Sequence, residues 1–349
     1  MKKKLAIILA MLTTISASAA VSAADYEIVS KGFQHQYWQA VLAGAKEKAD
    51  ELDVEINFVG PANESAYDEQ LSQLNSAINA KPKAIGLAAL STETCLDAIG
   101  EAQKAGIPII GFDSGVPGAP EGAVLANCST NNYNAGALAG EMVWEAIKDR
   151  VADAEGTVRI GVSAQDAVSE SVTQRGLGFI DKIGELAAEE GYGVKLEGNE
   201  KYVNDAKIES VDDGKIVIET LVPSQVTAEL SAIDCQNLLN KSDIIALYGS
   251  NQHSAEAMVT ANENLQKLGT GEGQVIGAGF DSGAVIKAAV ADGTFLGAIT
   301  QAPFAMGEAL VETMVKAANG EEVEDVDTGC QWYTAENMND DDIAINLYD

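Results

Sequence analysis

Short apolar runs separated by stretches of helical spacing recur along almost the whole chain. Residues 26–30 read as a buried strand, and 37–52 place Val41, Ala45, Ala49 and Leu52 at the spacing that keeps one helix face against a core. Strand 54–59, helix 64–80 with Leu71, Leu74 and Ile78 inward, strand 84–89, helix 93–105 and strand 107–112 continue the pattern. Such a βαβ series predicts a parallel sheet, because parallel strands need a long crossover and the helix in it packs back right-handed.

A short strand at 123–127 leads into helix 131–148, and the alternation then restarts. Strands 158–163, 216–221, 244–248, 274–279 and 296–300 are separated by helices 172–190, 227–239, 255–268 and 284–291. The prediction is an α/β protein of two similar doubly wound parallel-sheet lobes. A last helix, 304–319, and an extended piece, 328–334, have no lobe of their own and imply recrossing near the end. Between 193 and 221, Val194, Leu196, Ile208, Val211, Ile216 and Ile218 alternate with polar residues around Asp213 and Gly214. That alternation predicts an extra β-hairpin at about 194–220, a surface decoration of the second lobe.

The first residues belong to a different pattern. Lys2, Lys3 and Lys4 precede an apolar run from Leu5 to Leu12, and the small residues at 16–24 offer cleavage sites after Ala23 or Ala24. The run is too short to span a bilayer, and it carries no cysteine for a lipid. A signal peptide over 1–24 is expected, with a soluble mature protein starting near Asp25 in a periplasmic or extracellular compartment.

Composition narrows the chemistry. A length of 349 residues, 46% of them hydrophobic, suffices for two domains with their own cores. The net charge of -31 repels nucleic acid and anionic lipid, so neither is an expected partner. Cys95, Cys128, Cys235 and Cys330 are widely spaced and the chain has 2 histidines, which disfavours a metal site. An exported chain permits disulfides without requiring them, and four cysteines allow three full pairings.

Aromatic and polar residues stand just beyond several strand ends: Tyr37, Trp38, Asp113, Arg175, Asn251, Asp281 and Gln301. In open α/β sheets those ends border the ligand crevice, so a small polar molecule is the expected ligand. Each residue has a plainer role open to it. Asp281, Asn251 and Gln301 could cap helices, Arg175 could pair with Asp166 or Glu170, and one of the adjacent Tyr37 and Trp38 could be core. No nucleophile elbow, P-loop or zinc-protease motif is present, and Gly277-Ala278-Gly279 lacks the remaining glycine of a dinucleotide fingerprint. The expectation is a binding protein without catalytic residues or cofactor.

Read in order, several segments resemble the sugar-binding, ribose-binding-protein-like subgroup of the type I periplasmic binding proteins, the receptors of ABC importers. They are the aromatic segment 33–38 with Gly44 and Ala45 following, 107–113 ending in Gly-Phe-Asp, 175–179, 249–251, 279–282 and 300–301. The resemblance covers essentially the whole mature chain. It implies an N-terminal lobe of 25–128 plus 302–329 and a C-terminal lobe of 129–301 plus 330–349. A multi-strand hinge near 127–130, 301–303 and 329–332 would join them.

The resemblance also implies roles. Tyr37 and Trp38 would offer ring faces to a sugar, Trp38 foremost, while His35 would donate to a hydroxyl or merely cap its helix. Asp113 and Asp281 would each accept a pair of hydroxyl hydrogen bonds, and Arg175, Asn251 and Gln301 would complete a polar ring. Ser114 stands where the family often has arginine, and Gln225-Val226 where many members carry an aromatic residue, so no particular sugar follows. A monomer that delivers a monosaccharide or polyol to an ABC permease is implied, with a chemotaxis or quorum sensor, or a carbohydrate-active enzyme, as alternatives. By the same resemblance Cys128 and Cys330 fall on neighbouring hinge segments, and a disulfide between them is expected.

Overall fold

Ile28 and Val29, fully buried in β1 (Tyr26–Val29), belong to the first of two sheets. The computed structural model describes residues 24–33 and 35–348, and the expected signal peptide over 1–24 lies essentially outside them. After β1 come α1 (Gln36–Leu52), β2 (Ile56–Val59), α2 (Tyr67–Ala80), β3 (Ala84–Leu87), α3 (Leu96–Lys104), β4 (Ile109–Phe112) and β5 (Val124–Ser129). The chain then enters a second lobe through α4 (Asn132–Asp153), β6 (Val158–Ser163), α5 (Glu170–Glu189), β7 (Val194–Gly198), α6 (Glu200–Asp205) and β8 (Ile216–Leu221). That lobe continues with α7 (Ala228–Leu239), β9 (Ile244–Gly249), α8 (Gln252–Leu265), β10 (Ile276–Phe280), α9 (Ala284–Ala291) and β11 (Gly297–Gln301). Helix α10 (Pro303–Ala318) and β12 (Val326–Asp327) return to the first lobe, and β13 (Cys330–Tyr333) and α11 (Asp341–Ala344) end in the second.

The first sheet has the order β12-β5-β4-β3-β1-β2, every pair parallel. The second runs β13-β11-β10-β9-β6-β8-β7, with β13 antiparallel to β11 and the rest parallel. Apolar residues on both faces of each sheet require helices on both sides, and the separate core clusters of the two lobes reflect this.

The hairpin expected at about 194–220 is not there. Its two strands, β7 and β8, pair in parallel, with Val194 beside Ile216 and Gly198 beside Thr220, and α6 lies in the crossover between them. Period-two alternation located both strands but carries no information about their relative direction. The connection from Asn199 to Lys215 is long enough for a crossover, and β7 becomes an extra edge strand of the second sheet.

Within each lobe one helix pair touches backbone to backbone. A Cβ on Gly44 of α1 would lie 1.9 Å from the Phe304 carbonyl oxygen, and one on Gly307 of α10 would lie 2.0 Å from that of Val41. In the second lobe Gly136 of α4 would meet the Arg175 carbonyl at 2.0 Å, and Gly178 of α5 that of Tyr133 at 2.0 Å. Reciprocal glycines let both pairs approach more closely than any side chain allows.

Three segments carry the chain between lobes, between β5 and α4, between β11 and α10, and between β12 and β13. Hydrogen bonds tie the first to the third: Thr130 Oγ1 donates to the Gly329 carbonyl at 3.0 Å, and Thr328 N–H to the Ser129 carbonyl at 3.0 Å. The expected Cys128–Cys330 disulfide is not formed, and all four cysteines are free thiols. Cys128 turns into the first lobe's core and donates to Thr313 Oγ1 at 3.4 Å, whereas Cys330 packs on the core of the second. Cys128 lies on β5 of the first sheet and Cys330 on β13 of the second, and each side chain follows the apolar core of its own lobe.

Candidate functional site

Strand ends of the two sheets confront each other across a cleft, which holds a pocket of about 330 Å³ with its mouth included. The first lobe contributes Lys31, His35, Tyr37, Trp38, Glu64 and Asp113, and the second Val172, Arg175, Asn251, Gln252, Asp281 and Gln301. Every residue expected at the site borders this pocket except Ser114. That residue is fully buried, and its hydroxyl lies 3.4 Å from Ser169 Oγ and accepts from the Ser171 N–H at 3.3 Å, joining the lobes beside the pocket.

The two aspartates are delivered by the same backbone device. Asp113 follows β4 with φ of 56° and Asp281 follows β10 with φ of 72°, both in the left-handed region that aspartate tolerates better than most residues. In each case the N–H is anchored on the adjacent strand, Asp113 on the Cys128 carbonyl at 3.2 Å and Asp281 on that of Ile299 at 2.6 Å. Asp113 Oδ1 then accepts from the Tyr37 hydroxyl at 2.8 Å, and its Oδ2 lies 3.2 Å from Lys31 Nζ. Asp281 Oδ1 accepts from the Gln301 amide at 2.6 Å and its Oδ2 from the Gln252 N–H at 3.0 Å. The capping role open to Asp281 is thus realised on the first turn of α8, not on the helix that follows it in sequence.

Arg175 is 3% exposed and sits between the aspartates, 3.9 Å from Asp113 Oδ1 and 3.7 Å from Asp281 Oδ2. Its Nε donates to Asn132 Oδ1 at 2.8 Å, and the guanidinium lies 4.1 Å from the centre of the Phe280 ring. Burial would lower its pKa, but Asp281 and Asp113 outweigh that and raise it, so the guanidinium stays charged. Burial in turn pushes the Asp281 carboxyl up against the pull of Arg175.

Tyr37 and Trp38 belong to the first lobe's core and border the pocket as well, so neither is displaced by the other. Their rings meet edge to face with centroids 5.0 Å apart, and Trp38 meets Phe112 in the same manner at 6.2 Å. The indole N–H donates to Glu64 Oε1 at 2.8 Å. Asn251 caps α8, its Oδ1 accepting from the Ser254 N–H at 3.1 Å, while its amide donates to Gln165 Oε1 at 2.8 Å.

Lys31 and Glu64 were missed by the sequence reading, although both follow strand ends. Lys31, directly after Ser30 at the end of β1, reaches across the cleft to Ser169 Oγ at 3.1 Å and Ser171 Oγ at 3.2 Å. Burial would lower its pKa, but Asp113 and Glu64 raise it on balance. Glu64, in the loop after β2, accepts from Gln165 of the second lobe at 3.2 Å. Burial would raise the Glu64 carboxyl; Lys31, His35 and the hydrogen bonds from Trp38 and Gln165 outweigh it and hold the pKa down to about 2. Two more acceptors on the wall, Gln301 Oε1 and Gln252 Oε1, are buried without a hydrogen-bond partner.

The arrangement offers carboxylate and amide oxygens to donors, two cations and two aromatic edges, split between lobes. Among the described residues no group of three or more His, Cys, Asp or Glu could hold a metal ion, and no helix is long and apolar enough to cross a membrane.

Known proteins share this organisation. The family model described as a periplasmic binding protein domain matches residues 26–322. The ribose import binding protein RbsB of Haemophilus influenzae is 24% identical over 328 residues, covering 93% of this chain and 96% of that one. A solved structure from Brachyspira murdochii, described as an ABC transporter, LacI family transcriptional regulator, is 32% identical with a TM-score of 0.79, covering 93% of this chain and 98% of its own. A carbohydrate transporter solute-binding protein of Agrobacterium radiobacter, solved with D-arabinose, is 25% identical with a TM-score of 0.76 over 94% of this chain and 100% of its own.

Proposed function

Because this chain belongs to the periplasmic binding protein family, we propose that its cleft captures a monosaccharide or related polyol and that the closed protein delivers it to the membrane permease of an ABC importer. The observation that carries the reading is Arg175, buried between Asp113 of one lobe and Asp281 of the other. Carboxylates accept two hydroxyl hydrogen bonds each, and the guanidinium both donates to ligand oxygens and offsets the negative charge of the carboxylates. Tyr37 and Trp38 supply aromatic surface for the apolar face of a ring, and Asn251, Gln252 and Gln301 supply amide groups. A ligand touching both lobes favours the closed form over the open one, and a permease that recognises the closed form then takes up only loaded protein.

Binding without turnover, as an exported monomer, completes the reading. A thermal-shift screen of pentoses, hexoses, polyols and amino acids tests it, since a ligand that binds only the native state raises its melting temperature. Stabilisation by at least one sugar or polyol, recovered chemically unchanged by chromatography, is the expected result. Turnover of that sugar, or stabilisation by amino acids alone, would overturn the proposal.

A further inference from the structure

We propose that the solute is an amino sugar or amino polyol whose ammonium group is held at Glu64, a refinement that rests on the sugar reading above. The pocket walls carry three carboxylates, Glu64, Asp113 and Asp281, only 6%, 3% and 5% exposed, against the two cations Lys31 and Arg175. Lys31 Nζ is placed on Asp113 and on two serine hydroxyls, and Arg175 faces Asp113 and Asp281. Glu64 instead takes the Trp38 N–H at 2.8 Å and the Gln165 amide at 3.2 Å, both neutral donors. Asp166 stands directly behind, 6% exposed, with its Oδ2 on the same Gln165 amide at 3.3 Å, and adds a further negative charge next to the wall.

This excess of negative charge is unlike the acidity of the protein surface. Water screens a surface carboxylate, but a closed cleft excludes that screening; Lys31 and His35 hold Glu64 ionised there against burial, so it stands at the pocket wall as a charged acceptor for a ligand cation. The hydrogen-bond inventory leans the same way. Gln301 must direct its amide nitrogen at Asp281, which leaves its oxygen on the pocket wall as an acceptor without a partner, and the Gln252 oxygen is in the same state. A ligand hydroxyl brings one donor, whereas an ammonium brings three and a positive charge. His35 also borders the pocket, and the experiment separates it from the ligand.

Isothermal titration of the intact protein would compare D-glucosamine, D-galactosamine, D-mannosamine and 1-deoxynojirimycin with D-glucose, D-galactose and D-mannose. The expected result is at least one amine that binds about tenfold or more tightly than its hydroxyl parent. Its affinity should fall as pH rises through the amine's own pKa. Glu64→Gln should abolish that preference. A parent sugar that binds as well as its amine would overturn the inference and leave the sugar reading intact. The inference is equally overturned if the neutral sugar binds with uptake of one proton, measured in buffers of different ionisation enthalpy, and His35→Gln abolishes that uptake. Binding of neither class, with some other solute bound instead, would overturn the sugar reading itself.

Discussion

Asp113 and Asp281 occupy matching turns on opposite lobes, each in the left-handed region just past a Gly-Phe strand end, and a single guanidinium faces both. Substituting Asp281 by Ala should remove a charged acceptor and weaken ligand binding by about 1.5 to 3 kcal/mol. Titration of the folded variant checks this; unchanged affinity would take Asp281 out of the site.

Lys31 acts as a latch as well as a wall residue, because its ammonium spans from Asp113 to Ser169 and Ser171 of the other lobe. Lys31→Met should shift the ligand-free protein toward open forms. Small-angle scattering should then show a larger radius of gyration than for the parent protein, and saturating ligand should restore the compact value. Equal radii for the two ligand-free proteins would mean that Lys31 does not govern closure.

Gly136 touches no part of the pocket, yet its missing Cβ is what lets α4 lie against the Arg175 carbonyl. Gly136→Ala should separate α4 from α5 and displace Arg175. The expected cost is about 1 to 3 kcal/mol of stability together with a loss of ligand affinity. Melting and titration measure the two effects, and a stable variant of normal affinity would contradict the packing argument.

Glu64 sets the sign of one pH effect. Its folded pKa of about 2 lies below the ordinary 4.5, so its contribution to stability is fully present above the ordinary value and is lost as pH falls through that window toward 2. Glu64→Gln should therefore flatten the acid side of the stability profile between those values. Urea titrations at a series of pH values would show it, and an unaltered profile would mean that Glu64 is not ionised in the fold.

Burial pushes the Cys128 and Cys330 thiols up to about 11, so little thiolate exists at neutral pH. Both should resist thiol reagents in the native protein and react after unfolding. Non-reducing peptide mapping should find no link between them.

Much of the architecture was legible because an apolar run of strand length and an amphipathic helix differ in period, and here they alternate for nearly the whole chain. The direction of β7 relative to β8 was not legible, since alternation is the same in a hairpin and in a crossover. At the site, residues such as Asp113 and Asp281 stood out because acidic side chains after Gly-Phe have no packing reason to be there. Lys31 and Glu64 did not, because lysine and glutamate are ordinarily solvated and only closure of the second lobe over them, through Ser169, Ser171 and Gln165, makes them buried. The cysteines failed for a related reason. Neighbouring positions along the chain crossings say nothing about which core each thiol enters.

The interleaving of the lobes also constrains the order in which they are completed. Met306, Leu310, Val311 and Met314 of α10 fill the first lobe's core, but they follow strands β6 to β11 of the second lobe's sheet in sequence. A chain emerging from the ribosome with its first 130 residues made thus has a lobe without its central helix, and it cannot seal that core by any local rearrangement. The first lobe is the earlier one to be synthesised and the later one to be finished, so a nascent chain remains unable to lock shut until almost all of it has been made.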